Sequence, residues 1–380
     1  MMYIKSDKII TPHGLFSGYL GIENGKISEI SVNAPANAVA IDMTGKYVSP
    51  GFIDIHTHGG GGYSFTESSQ EDIVKGCEFH LSHGTTSILP TVTTGAFDVM
   101  REAAMNIKAV REGGRCRANI LGVHMEGPYL SPAQCGAQCP EHITEPREDE
   151  YTALVSELGD ALARWTYAPE RDTDAKFCKF MTENGVITSA GHTNATYDHM
   201  NTAIAAGCGL VTHLYSCTST VTRDHGFRSL GVIESTFLRD ELCAEIIADG
   251  KHLPPELVRM IVKIKGENNV IAVTDSLSIA GSPDKHGVMS GVEYIVEDGV
   301  AKLCDRSAFA GSVATMDMLL RVLVDECGFS VARAVKMLSE NPARIFASTK
   351  GRLEAGFDAD IVCFDDKLCV TDVFVGGERV

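Results

Sequence analysis

Histidines, together with a glutamate and an aspartate, stand where apolar runs of this sequence stop, and these are residue types that bind divalent metals. His56 and His58 follow the run 51–55, in PGFIDIHTHGGGG, and His124 and Glu126 close the run 120–123, in HMEGP. The run 186–189 leads into Ala190-Gly191-His192, and 209–212 leads into His213. The run 244–248 is followed by Asp249, Gly250, Lys251 and His252, and 270–274 by Asp275. Each residue alone has an ordinary explanation. A single HxH is usually incidental, a lone His192 or His213 is more often a hydrogen-bonded core residue, and Glu126 or Asp275 alone reads as a helix cap. Repetition at successive run ends favours a hydrolytic metal centre with a coordination position left for water. Such a metal brings the pKa of its water towards about 7, and Asp275 is the ionisable group placed to take that proton and deliver it to a leaving group. Arg223 and His252 are candidates for holding an anionic group, with surface solvation the alternative for Arg223. The glycines 59–62 would let backbone approach a ligand, but they lie in no nucleotide-binding context.

The apolar runs at 51–55, 86–89, 120–124, 165–168, 186–189, 209–212, 244–248 and 270–274 are the length of buried strands. Helix-compatible stretches separate most of them, at 71–81, 96–110, 148–158, 197–206 and 255–264. Eight strands alternating with helices predict an α/β fold closed as a (β/α)8 barrel, whose strand C-termini converge on one mouth. Residues far apart in sequence would then share one pocket. Helices at 316–326 and 330–340 would cover the barrel, with Asn341-Pro342 as a turn or helix start. The first fifty residues read differently, as short strands broken by turns, with Asn24-Gly25 between two apolar runs as a hairpin signal. The last thirty have the same character. The expected organisation is one small β domain made from 1–50 plus 352–380, interrupted by a barrel over 51–351.

Composition narrows the function. Lys and Arg number 33 against 50 Asp and Glu, a formal charge of −17, which argues against nucleic-acid or anionic-membrane partners. It leaves room for a small phosphorylated substrate, which needs only one or two local cations. Hydrophobic residues at 44% and charged residues at 22% are ordinary for a globular chain. The start MMYIKSDKII lacks the apolar core of a signal peptide, and no apolar run reaches the roughly 18 residues of a membrane span. The twelve cysteines are scattered mostly singly, so the expectation is reduced thiols in a cytoplasmic protein.

With those residues in place, the sequence resembles a known family. PGFIDIHTHGG, HMEGPYLSP with PEHI, AGHT, THLY, ADGKH, VTDS, AGS and NPARIF resemble, in order and across nearly the whole chain, the N-acetylglucosamine-6-phosphate deacetylases of the amidohydrolase superfamily. The resemblance implies a (β/α)8 barrel with a small β-sandwich from both termini, usually as a homodimer. It implies one or two divalent metals per subunit, zinc or iron, with Glu126, His192 and His213 as principal ligands. His56 and His58 match the pair that holds a second metal in some members, and Asp275 matches the catalytic aspartate. His252 matches a histidine near the substrate's phosphate and reacting centre. Arg223 matches a phosphate-binding arginine that acts across the dimer interface, and Phe309, Ala310 and Gly311 match a substrate-contacting loop.

The departures fall in the substrate shell. Gln138, after Gly136 and Ala137, replaces a usual histidine, and Ser216-Cys217-Thr218 replaces Asn-Ala-Met. Ser276 replaces alanine, and 305–308 reads Asp-Arg-Ser-Ala for Asp-Gly-Thr-Leu. A mismatched buried polar group costs about 1–3 kcal/mol, enough to change which sugar is accepted. The expected reaction is hydrolysis of the acetamide of an N-acetylated amino-sugar 6-phosphate, N-acetylglucosamine 6-phosphate in particular. N-acetylgalactosamine 6-phosphate, an unphosphorylated N-acetyl sugar and an N-acyl amino acid are the alternative substrates. A catalytically dead barrel used as a scaffold predicts lost metal ligands, and none of the matched ligands is lost.

Overall fold

The computed structural model describes residues 1–380, the side chain of Asp224 excepted. The apolar runs become eight parallel barrel strands: Phe52–Thr57, Thr85–Val92, Val123–Glu126, Leu162–Tyr167, Ile187–Ala190, Leu210–Val211, Cys243–Ile247 and Val270–Val273. Seven of the eight neighbouring pairs are joined by parallel ladders. Between the last strand and the first, closure comes beyond the ladder: Asp275 N–H donates to His56 O at 2.9 Å and His58 N–H to Ser276 O at 2.8 Å. Ile53, Ile55, Leu89, Leu210, Ile247, Ile271 and Val273 form a cluster of buried barrel-strand side chains, together with Ala343 from the helix Glu340–Phe346.

The helices form as the apolar periodicity predicts. Gln70–Ser82 buries Ile73, Cys77, His80 and Leu81, a stripe at helical spacing, and Ser69 caps it by accepting from Asp72 N–H at 3.2 Å. Helices Phe97–Gly113, Glu148–Leu158, Tyr197–Ala205 and Pro255–Lys265 lie where the sequence places them. The stretch 316–326 begins as an α-helix, Met316–Arg321, and widens into a π-helical turn over Val322–Glu326.

The two chain ends meet in one eight-stranded sheet. Ile361–Phe364 pairs antiparallel with Tyr47–Pro50, which pairs in turn with Met2–Thr11, and Gly14–Glu23 and Lys26–Ser31 extend the sheet. Ile4, Ile9, Leu20, Ile22, Val48, Ile361 and Phe374 fill its own core. A second, four-stranded antiparallel sheet, His286–Met289, Val292–Glu297, Val300–Leu303 and Phe309–Gly311, is inserted after the eighth barrel strand. It is stitched to that strand's end by Ser312 N–H to Asp275 O at 2.8 Å and Leu277 N–H to Ser312 O at 3.0 Å. Strand–helix alternation does not predict this sheet, whose strands follow one another without helices.

Candidate metal and active site

The C-terminal strand ends surround a cavity of about 250 Å³ lined by His58, Glu126, His192, His213, His252 and Asp275. Ala137, Gln138, Ser216, Cys217, Phe309, Ala310 and Gly311 complete much of its wall, with Tyr215, Ile247 and Met289 as apolar additions. His56 lies beneath, fully buried. Arg223 is elsewhere: it sits on the exposed hairpin Thr222–Asp224 with Phe227–Ser229 and does not line this cavity. The glycine run 59–62 does not line it either. A Cβ at Gly60 would meet Phe79 at 2.4 Å, so this glycine serves close packing.

Backbone geometry aims three of these side chains into the cavity. His192, His213 and Asp275 each lie two residues past their strands with φ of 46°, 28° and 48°, left-handed values that side chains other than glycine and asparagine seldom adopt. Gly136, at φ 57°, is needed for a different reason: a Cβ there would meet Cys217 Sγ at 2.6 Å.

The polar atoms converge without enough protons to share. His192 Nδ1 donates to Gln134 O and His213 Nδ1 to Ser216 O, both at 3.0 Å. That leaves their Nε2 atoms as acceptors, 3.2 Å from each other and 3.3 and 3.2 Å from Glu126 Oε1. His56 repeats the pattern. Its Nδ1 donates to Glu245 Oε1 at 2.7 Å, while its buried Nε2 has no hydrogen-bond partner and faces Glu126 Oε1 at 3.3 Å and Asp275 Oδ1 at 3.5 Å. His58 Nε2 stands 3.2 Å from Glu126 Oε2 and 3.3 Å from Asp275 Oδ1. Lone pairs of imidazoles and carboxylates that point at one another repel unless positive charge lies between them. The electrostatics carry the same message. Burial pulls His56 down, yet the carboxylates of Glu126, Glu245 and Asp275 push it up to about 10. Against the upward push of burial, the His56 and His192 imidazoles hold Glu126 well below its ordinary range. Asp275 is likewise lowered against burial, by His56 and His58, and is therefore ionised at neutral pH. The donor set of three or more His, Glu and Asp atoms within 4.8 Å of one another fits a divalent cation, at Glu126–His192–His213 and again at His56–His58–Glu126.

Four supporting residues, Gln138, Glu245, Arg164 and Asp249, went unread in the sequence as parts of this arrangement. Gln138, expected to touch substrate, donates from Nε2 to Glu126 Oε2 at 2.6 Å. Its Oε1 accepts from Thr93 Oγ1 at 2.8 Å and Thr94 N–H at 2.9 Å. Glu245 and Arg164 form a fully buried ion pair at 2.5 Å directly behind His56. His252 donates from Nδ1 to Asp249 Oδ2 at 2.8 Å, which leaves Nε2 as the nitrogen free to meet a substrate.

The chain is similar to known proteins over nearly its whole length. Residues 47–380 match the amidohydrolase family model. The N-acetylglucosamine-6-phosphate deacetylase of Bacillus subtilis (strain 168) is 32% identical over 371 residues, covering 95% of this chain and 92% of that protein. The N-acetylgalactosamine-6-phosphate deacetylase of Shewanella sp. (strain ANA-3) is also 32% identical, over 97% and 92% of the two chains. The crystal structure of N-acetyl-D-glucosamine-6-phosphate deacetylase from Mycobacterium smegmatis superposes with a TM-score of 0.93 at 29% identity, covering 100% of both chains.

Proposed function

The chain belongs to the amidohydrolase family, and from that premise we propose that it removes the acetyl group of an N-acetylated amino-sugar 6-phosphate, with N-acetylglucosamine 6-phosphate as the first substrate. The observation that carries this reading is the meeting of Glu126, His192, His213 and Asp275 at one cavity in a chain that matches named deacetylases of such sugars over at least 92% of their length. A divalent cation held by Glu126, His192 and His213, with His56 and His58 able to take a second, supplies Lewis acidity and lowers the pKa of a water. Zinc or iron suits this imidazole-rich set.

The protein's own groups do the rest. Asp275, ionised and at the cavity wall, accepts at its carboxylate the proton lost by the attacking water. It returns that proton to the amide nitrogen as the C–N bond breaks, so acetate and a free amine leave. His252 Nε2, oriented by Asp249, faces the reacting carbonyl or the phosphate. Phe309, Ala310 and Gly311, on the inserted sheet, wall the sugar from solvent. None of the residues lining this cavity is Lys or Arg, so a phosphate needs a cation from outside the lining. Arg223, on its exposed hairpin, is suited to supply it to the site of a second copy, in a homodimer. The twelve cysteines are all free, which supports a cytoplasmic setting. Among the described residues no helix is long and apolar enough to cross a membrane.

The Shewanella relative gives N-acetylgalactosamine 6-phosphate an equal claim on similarity, and Ser216 and Cys217 at the cavity wall are where the two epimers would be told apart. Acetate release from both 6-phosphates, from unphosphorylated N-acetylglucosamine and from an N-acetyl amino acid, each with zinc or iron supplied, decides the matter. N-acetylglucosamine 6-phosphate should turn over fastest. Release from the unphosphorylated sugar alone would overturn the assignment of a phosphorylated substrate.

A further inference from the structure

Arg164 and Glu245 take no part in the chemistry above, yet they are the charged pair at the centre of the barrel. Both side chains are fully buried, Arg164 on the fourth strand and Glu245 on the seventh, with Nη1 2.5 Å from Oε2. A buried ion pair is weak evidence for stability, because removing two charges from water offsets most of their attraction. Its partners show what else it does. Glu245 Oε1 accepts from His56 Nδ1 at 2.7 Å and from His213 N–H at 3.1 Å. Arg164 donates from Nη1 to Ile55 O at 3.0 Å, from Nη2 to Thr212 Oγ1 at 2.9 Å and from Nε to Ser189 Oγ at 3.1 Å. Ile55 immediately precedes His56, and Thr212 immediately precedes His213. One oxygen of Glu245 therefore holds the ring of one candidate ligand and the left-handed backbone of another, while Arg164 holds the residues that precede them.

We propose that Arg164 and Glu245 are positioning residues for the cation cluster: Glu245 keeps the His56 proton on Nδ1 so that the Nε2 lone pair faces the cluster, and Arg164 fixes which way the Glu245 carboxylate turns. The inference rests on the cluster's binding a divalent cation, and is independent of which sugar is deacetylated. Its logic is the hydrogen-bond rule for imidazole, in which the partner of one ring nitrogen decides what the other can do.

Glu245→Gln makes the rule visible. A carboxamide has one acceptor oxygen and one donor nitrogen. Arg164, with donors only, claims the oxygen, so the amide NH2 turns to His56 Nδ1. The His56 proton then moves to Nε2, the nitrogen aimed at the cluster. Zinc binding to chelator-stripped protein, measured by competition with a chromophoric chelator, should weaken about 10- to 100-fold. Arg164→Met added to Glu245→Gln frees the carbonyl oxygen to accept from His56 Nδ1 again, so the double variant should bind zinc more tightly than Glu245→Gln alone. A purely structural role predicts the opposite order, with damage accumulating. The unaltered protein offers an arm that needs no variant to fold: in the zinc-loaded form, 15N spectra of the His56 ring should show its proton at Nδ1. Glu245→Gln binding zinc as tightly as the parent, a double variant weaker than the single, or a His56 proton absent from Nδ1 would each overturn the proposal. Failure of deacetylation with normal zinc binding would refute the substrate reading and leave this one standing.

Discussion

Asp275→Asn separates moving a proton from holding a cation. The carboxamide keeps the length of the side chain, and the backbone N–H of residue 275 still donates to His56 O at 2.9 Å, so closure of the barrel is untouched. The φ of 48° adds no new cost, because asparagine visits the left-handed region at least as readily as aspartate. Glu126, His192 and His213 retain every donor atom of their group. What disappears is a carboxylate able to accept a proton and give it back. Positioned acid–base groups contribute about 10²- to 10⁴-fold, which at about 1.4 kcal/mol per tenfold is about 3–5 kcal/mol of barrier. The assay is acetate release at saturating N-acetylglucosamine 6-phosphate, with metal measured by elemental analysis on the same sample. The expected result is kcat lower by about 10²- to 10⁴-fold, with metal content near the parent's. Activity within a few-fold of the parent would refute proton transfer by Asp275. Metal lost in proportion to activity would instead make Asp275 a group that holds the cation, which its 3.3 Å approach to His58 Nε2 also permits.

Gln138→Leu is close to isosteric but leaves Thr94 N–H without its acceptor and Glu126 Oε2 without its amide donor. At about 1–3 kcal/mol for each group, urea unfolding of metal-free protein should show a loss of about 2–6 kcal/mol, and no measurable loss would show that water replaces the amide. Asp317 sets an acid limit to stability. Burial pushes its carboxyl up, but hydrogen bonds from His83 and Thr315 and the nearby Arg321 bring it to about 2. Because the folded-state value lies below the unfolded one, the contribution is complete above about pH 4 and is lost as pH falls towards 2. The difference is worth about 2 kcal/mol, so Asp317→Asn should be less stable at neutral pH and show a shallower decline between pH 4 and 2.

The parts of the fold and site that were legible share a property: they break a pattern. His192, His213 and Asp275 follow apolar runs abruptly, and imidazoles repeated at such ends are uncommon enough to stand out. Gln138 did not stand out as a support for Glu126, because its role depends on Thr93 and Thr94, which are more than forty residues away. Arg164 and Glu245 carried a signal that period-based reading passes over. Each is a lone charge inside a strand whose neighbours are mostly apolar, Leu162–Tyr167 and Cys243–Ile247, and such a charge requires a buried partner. The opposite signs of the two could have suggested the pair. The inserted sheet also has turn signals, at Ser290-Gly291 and Asp298-Gly299, but its strands follow one another without helices and so fall outside the strand–helix alternation that marks the barrel.

The seam between the eighth and first strands is held by the backbones of His56, His58, Asp275 and Ser276, and by Thr274 Oγ1 donating to Asp54 Oδ2 at 2.6 Å, rather than by an extended ladder. A refolding chain therefore brings Asp275 opposite His56 and His58 only when its two barrel edges meet, whereas Glu126, His192 and His213 stand at inner strands that need no such closure. An ion shared by His56 and Asp275 would pull those edges together, so occupancy and closure would be linked equilibria. On this view, the last cooperative step of folding would depend on metal concentration, and the edges that part first under denaturant would be the pair that carries the proton-transfer group.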